Sequence, residues 1–341
     1  MTSSADTAAA TGAAGRTALV FPGMSALKYA DVARFMLTNP IARRLREEAD
    51  DALGYCLADH YRDAEEDYAE SAQAAFLLNC TALAQWAVGA FGFTPVACAG
   101  PSFGAKAAAC FSGALGFADT IRLTVELARC EQDYFRTEHT DVVTQSFVRT
   151  PEEGLRELLA GMDARGQWYE VSCHVDRDFF MVSLREPGLD AFTAGIRALG
   201  GLPLYAMRPP MHCAAFAPLR ERAAAVLDGF TFADPALPVV RDQDGAAVTT
   251  AAGVREMLLD GFVRPVRWPD AVRGLRDLAV TRVCVAGPDT LWGRVPCTVE
   301  AFDVLAASPR AALRPRRYAP WAPPAPVTAL APVSAAASVK G

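Results

Sequence analysis

The chain is predicted to be a two-part α/β protein, and three observations carry that prediction. Short apolar, strand-like runs alternate with helical patterns up to about residue 128, the order of an α/β core with a largely parallel sheet. The segment from about 142 to 205 then reads β-α-β-β-α-β, which is the ferredoxin-like order. Beyond it the first pattern resumes, with Val239-Val240, a helix over 254–262 and a strand over 283–286. In order, TALVF at 17–21 is the first strand, ended by Pro22-Gly23, and helical patterns cover 31–35, 41–53 and 72–91. A strand at 96–99 leads into a turn and an alanine-rich helix start over 105–111. In the middle segment TQSFVR, WYEVSCHV and FFMVSL are strands, and 152–162 and 189–199 are helices. The expected division is a core over 16–135 and 206–308, with a small inserted domain over 136–205.

Composition narrows the function classes. At 52% hydrophobic and 21% charged residues, the chain can bury a sizeable core. No apolar run approaches the roughly 18–20 residues of a membrane span, so no membrane is expected. Residues 1–15 are small and polar, without the basic and apolar regions of a signal peptide, and read as a disordered tail. The stretch 309–341, rich in Pro and Ala with Arg310, Arg314, Arg316 and Arg317, reads as a flexible one. Nine cysteines stand singly with no Cys-x-x-Cys pair, the usage of a reduced, cytoplasmic protein without a zinc site. A formal charge of −6 argues against nucleic-acid binding.

Gly100-Pro101-Ser102-Phe103-Gly104 follows the strand-like Val96-Ala97-Cys98-Ala99. Gly-x-Ser-x-Gly between a strand and a helix is a nucleophile elbow, with glycines that let backbone pass close to a strained serine. Backbone N–H groups at the helix start then point at any oxyanion formed on an attacked acyl group. In an alanine- and glycine-rich chain the pattern also arises by chance, so a base must accompany it. Four histidines are available. His60 and His139 lie among charges and read as solvated, and His174 falls in a small-domain strand. His212 follows Arg208-Pro209-Pro210-Met211, where two prolines stiffen the backbone. It reads as a histidine capping a loop, or, paired with Ser102, as a general base.

Further segments, in order, resemble one family. Phe21-Pro22-Gly23 resembles an opening Phe-Pro-Gly-Gln-Gly, and Asn39-Pro40 and Leu53-Gly54-Tyr55 match a second segment. Gly100 to Gly104 stands where Gly-His-Ser-Leu-Gly is expected, and Ser112 to Asp119 resembles the helix lead-in after it. Met211-His212-Cys213-Ala214, Val239 to Gly245, Pro265-Val266-Arg267-Trp268 and Gly287-Pro288 complete the order. The chain is similar, over roughly 17–298, to malonyl-CoA:acyl carrier protein transacylases and polyketide synthase acyltransferase domains. The resemblance implies an α/β-hydrolase-like large domain with an inserted ferredoxin-like small domain.

It also implies ping-pong acyl transfer. Ser102 would attack a thioester, His212 would take its proton, and the amides of Met24 and Phe103 would hold the oxyanion. A carrier-protein phosphopantetheine thiol would then collect the acyl group. Acyl carrier proteins are thus expected as donor and acceptor, with no metal or redox cofactor, since phosphopantetheine belongs to the partner or to CoA. In the family a backbone carbonyl near a Ser-Asn-x-x-Gly segment orients the histidine; that segment is matched by Arg241-Asp242. Basic residues are expected at the entrance for acidic carriers, with Arg149, Arg208, Arg267 and Arg294 as candidates.

Departures from the family pattern point to the acyl group. Malonyl-using members clamp the free carboxylate with an arginine eight positions after the lead-in aspartate. Eight positions after Asp119 stands Leu127, and Arg129 sits about 200° further round a helix. Pro101 replaces a histidine, Met24 a glutamine, and Met211 precedes the catalytic histidine. All four changes make the substrate pocket more apolar and favour a neutral acyl group, such as an aminoacyl or dipeptidyl group moved in polyketide assembly. Malonyl transfer, hydrolysis of stalled acyl chains and a carrier-docking scaffold without catalysis are the alternatives left standing.

Overall fold

A computed structural model describes residues 15–314. Its eleven strands are β1 (Thr17–Val20), β2 (Pro95–Ala99), β3 (Val142–Val148), β4 (Tyr169–Asp176), β5 (Phe179–Arg185), β6 (Leu202–Met207), β7 (Val239–Val240), β8 (Ala247–Val248), β9 (Val266–Arg267), β10 (Arg282–Ala286) and β11 (Asp303–Ala307). They form two sheets. The larger has the order β11-β10-β1-β2-β7-β8 and is parallel except where β7 meets β8.

Short apolar runs suit such a sheet because both faces are covered. Leu19, Cys98 and Cys284 pack on one side, while the alternate residues Ala18, Val20, Ala97, Val283 and Val285 pack on the other. The first side carries the helix Glu70–Phe91, buried almost all round between its neighbours. This helix corrects the expectation that no apolar run nears membrane length. It is long and apolar enough to cross a membrane, but 67% of its apolar stretch is buried inside the fold, as for a core helix. Asn39 caps the helix Pro40–Leu53 by accepting from the amides of Ile41 and Ala42, with proline at the first helical position, the arrangement that asparagine and proline favour there.

The smaller sheet has the order β6-β3-β5-β4-β9. Its first four strands, with helices Glu152–Ala164 and Leu189–Ala198, are a ferredoxin-like unit, and its own core gathers around Val143, Phe147, Phe180 and Val182. Two differences from the expected boundaries stand out. β6 pairs with β3 as far as Met207, past 205, and β9 joins β4 from the far side of the chain. The pattern also left out β8, β9, β11 and the helix Leu57–Arg62, all short enough to lack a clear period. At the C-terminal side, Pro309–Ala312 forms a helical turn with Pro309 buried. Residues 309–314 are therefore part of the fold and not of a flexible tail; the remainder of that segment, and residues 1–14, lie outside the described residues.

Candidate active site

Ser102 stands just past the C-terminal end of β2, before the helix Gly104–Phe111. Its φ of 54° is left-handed, a strained conformation for a residue with a Cβ. The flanking glycines have a steric reason. A Cβ on Gly100 would lie 2.1 Å from the Gly104 carbonyl oxygen, and one on Gly104 would lie 2.2 Å from that of Phe21. The Gly104 amide closes the turn onto the Pro101 carbonyl at 3.0 Å.

His212 meets the serine from the loop between β6 and the helix Ala217–Leu227, itself at a φ of 65°. Its Nε2 lies 2.8 Å from Ser102 Oγ and its Nδ1 lies 2.6 Å from the Gly261 carbonyl oxygen. A carbonyl only accepts, so Nδ1 carries the proton and Nε2 is left to accept from the serine hydroxyl. Burial pushes the imidazole pKa down to about 4, partly offset by the hydrogen bond to Gly261, so the ring is neutral and a competent base at pH 7. The carbonyl that orients the histidine is therefore Gly261, in the helix Ala251–Val263, and not one in the Arg241-Asp242 segment. Asp242 has another contact. Its Oδ2 accepts from the Ser102 amide at 2.6 Å.

The strands of the small sheet support the histidine loop. Glu170 on β4 accepts from the amides of Ala214 and Ala215, at 2.5 and 3.0 Å. A buried hydroxyl chain runs across three strands, from Thr144 to Ser183 at 2.7 Å and Ser183 to Ser172 at 2.6 Å, ending on Cys213. Cys213 is next to His212, so the sheet that divides the chain in sequence also fixes its base. His139, expected to be solvated, is half-buried, with its ring tilted against Tyr134 and edge-on to Phe216.

Ser102 and His212 open into a cleft of about 980 Å³. Met24, Phe103, Leu127, Met211 and Arg208 also line it. Among the described residues, the amides of Met24 and Phe103 donate to no protein acceptor, which leaves both free for an oxyanion. Pro101 is buried within the turn and is not on the cleft wall. Arg129 points away and pairs with Glu70, its Nη2 at 3.0 Å from Glu70 Oε1, because two helical positions turn it off the face that Leu127 presents. Arg149, Arg267 and Arg294 are exposed and off the cleft wall, with Arg267 bonded to Asp270 at 2.6 Å. Arg208 reaches the mouth, where it pairs with Glu186.

Two cleft residues escaped the sequence reading. Lys106 and Glu131 both line the pocket, and Lys106 Nζ sits 4.6 Å above the Phe103 ring. Burial pushes the lysine pKa down and the glutamate pKa up, each partly countered by the other's charge. The signal was spacing. Glu131 is four residues after Leu127 in the helix Phe117–Phe135, which is the same face, and Lys106 lies in the first turn of the helix that opens at Gly104. The pocket is therefore less apolar than the four substitutions suggested.

The fold and the serine–imidazole pair in a cleft beside a ferredoxin-like sheet define the class, an acyltransferase. A family profile described as the VinK acyltransferase small domain matches residues 146–207. Malonyl CoA-acyl carrier protein transacylase of Salmonella typhimurium is 26% identical over 315 residues, covering 87% of this chain and 97% of that one. Its counterpart in Escherichia coli K12 is also 26% identical, over 85% and 94%. Among solved structures, a malonyl-transacylase in complex with a type II polyketide synthase acyl-carrier protein, PlMCAT:AntF, superposes with a TM-score of 0.75. It is 24% identical, over 86% of this chain and 95% of that one. The enzyme of Coxiella burnetii gives 0.76 at 22% identity, over 88% and 96%. Over most of its length the chain is thus similar to malonyl-CoA:acyl carrier protein transacylases, and over residues 146–207 to the VinK acyltransferase small domain.

Proposed function

We propose that this acyltransferase moves a non-malonyl acyl group between acyl carrier proteins, through an acyl-serine on Ser102. His212 Nε2 takes the hydroxyl proton as Oγ attacks the thioester carbonyl. The amides of Phe103, at the N-terminus of the helix Gly104–Phe111, and of Met24, in the loop after β1, receive the oxyanion. The thiol then leaves with the proton from His212, and the acceptor's phosphopantetheine thiol reverses the sequence. No metal or redox group has a part in it. The observation that carries the acyl preference is Leu127. Only 1% exposed, it lines the cleft at the position, eight after Asp119, where the family pattern gives malonyl-using members an arginine, and the neighbouring guanidinium of Arg129 is turned away onto Glu70.

Carrier proteins as partners are inferred from the names of the relatives, and two features of the surface fit them. Leu204 and Tyr205 of β6 are exposed large apolar side chains at the cleft mouth, and Arg208 lies beside them. Arg149 and Arg294 remain candidates for contacts with an acidic carrier beyond the cleft. Polyketide assembly and a cytoplasmic location, in keeping with nine free thiols, belong to the same proposal.

Malonyl transfer is the second reading, favoured by Lys106, an amine inside the pocket, and by the relatives. Intact mass of the protein after incubation with malonyl-CoA, and separately with butyryl and β-alanyl pantetheine thioesters, decides between them. A butyryl or β-alanyl adduct without a malonyl one, absent in Ser102→Ala, is the expected result. A malonyl adduct alone would reassign Lys106 as the carboxylate's partner and overturn the acyl preference. Adding a holo carrier then separates transfer from hydrolysis.

A further inference from the structure

Asp242 lies 140 residues from Ser102 in the chain, yet its Oδ2 accepts from the serine's own amide at 2.6 Å. Its side chain is wholly enclosed, with the second oxygen, Oδ1, buried and without a partner. A buried carboxylate with one unsatisfied oxygen is costly. Its place is nevertheless firmly braced. Arg241 and Arg264 clasp Asp244 and Asp260 at 2.9–3.2 Å, which ties the loop 241–244 to the helix holding Gly261. The Asp242 carbonyl accepts from the Arg267 amide at 2.7 Å.

We propose that Asp242 is a positioning residue for acyl transfer: its carboxylate holds the Ser102 peptide in the left-handed turn that aims Oγ at His212. The inference rests on the reading of Ser102 as nucleophile. Left-handed backbone at a non-glycine residue is maintained only by its surroundings, and the amide of Ser102 is the one group in the turn that Asp242 grips. A carboxylate accepts more strongly than a neutral group, so the grip weakens when the proton returns. The groups facing it are Arg241 and Asp244 on its own loop, the Ser102 amide and Cys173 of β4, with His212 across the serine. Burial raises the carboxyl pKa to about 7, against the lowering effect of the Ser102 amide and Arg241.

The test is the rate of serine labelling by a fluorophosphonate, followed from pH 5 to 9 on the full chain. Serine Oγ bonds to phosphorus, fluoride leaves and His212 takes the proton, so the rate reads the nucleophile's alignment without an acyl preference. The wild-type rate is expected to fall as pH drops through about 7. Asp242→Asn keeps an acceptor for the amide, so its rate at pH 8.5 should stay within about 3-fold of wild type and lose the break near neutrality. Asp242→Ala should label about 10- to 100-fold more slowly, as for a misplaced reacting atom. A wild-type profile flat from pH 6 to 9, or an alanine variant labelling at the wild-type rate, overturns the proposal. So does an asparagine variant as slow as the alanine one with the break retained. Label found on a residue other than Ser102 overturns instead the reading on which it rests.

Discussion

At the reacting end of the cleft, the two functional side chains are held mainly by backbone. A backbone carbonyl fixes the imidazole, the serine's own amide donates to the Asp242 carboxylate, and two glycines admit main chain to within van der Waals distance. Elsewhere on the cleft wall, Leu127, Lys106 and Glu131 act through side chains presented by two helices. The first arrangement tolerates almost no substitution, because each position answers a steric or hydrogen-bonding demand of the chain itself. The second can be rewritten by single changes, since helices hold whatever side chain they are given. Chemistry and acyl choice are thus separable in this molecule.

Substitutions in the two regions should differ accordingly. The largest effect is expected from Ser102→Ala or His212→Ala, which should lower acyl transfer by about 10⁴-fold or more while leaving thermal stability near wild type; retained turnover would break the comparison at its root. Gly104→Ala comes next. Its Cβ meets a carbonyl oxygen at 2.2 Å, and a melting curve should report a loss of about 2–4 kcal/mol together with lost fluorophosphonate labelling. Elsewhere on the cleft wall, Leu127→Arg should raise malonyl over butyryl acylation by about 10- to 100-fold, the worth of a charged hydrogen bond, without changing labelling. Arg129→Ala should change neither by more than about 2-fold, since its pair with Glu70 is exposed.

Two buried titrating groups sharpen the contrast through opposite pH trends in stability. His212 has its pKa lowered to about 4, so the folded state binds fewer protons than the unfolded one between about 6.5 and 4. Stability from this group is full above that window and lost as pH falls through it. Asp242 has its carboxyl raised to about 7; its contribution is full below the ordinary carboxylate range and lost as pH rises through about 7. Denaturant midpoints at pH 8 should therefore be higher for Asp242→Asn than for wild type, and the difference should shrink toward pH 5. A midpoint difference independent of pH would remove Asp242 as a charged group.

What could be read from the sequence follows the same division. The elbow at Ser102, the base at His212 and the ferredoxin-like order are local patterns, with spacing and turn chemistry that survive in one dimension. Glu170, Gly261 and the Asp242 contact with the serine amide arise from tertiary closeness of segments far apart in the chain, and a backbone carbonyl such as that of Gly261 carries no residue-type signal at all. Arg129 shows how a helical phase argument works when the register is known, since two positions sufficed to turn it from Leu127 onto Glu70. Glu131 was readable by the same counting from Leu127, but a charged residue in a helix is ordinarily solvated, and only the fold reveals it and Lys106 as enclosed. Pro101 misled because adjacency to the nucleophile in sequence is not exposure to the substrate.

The dipeptide β9 has a mechanical consequence. Val266 and Arg267 extend the small sheet along β4, and the Arg267 amide also grips the carbonyl of Asp242. One edge of that sheet is thereby riveted to the shelf beneath the nucleophile, whereas β6 at the opposite edge stays open to solvent beside the cleft mouth.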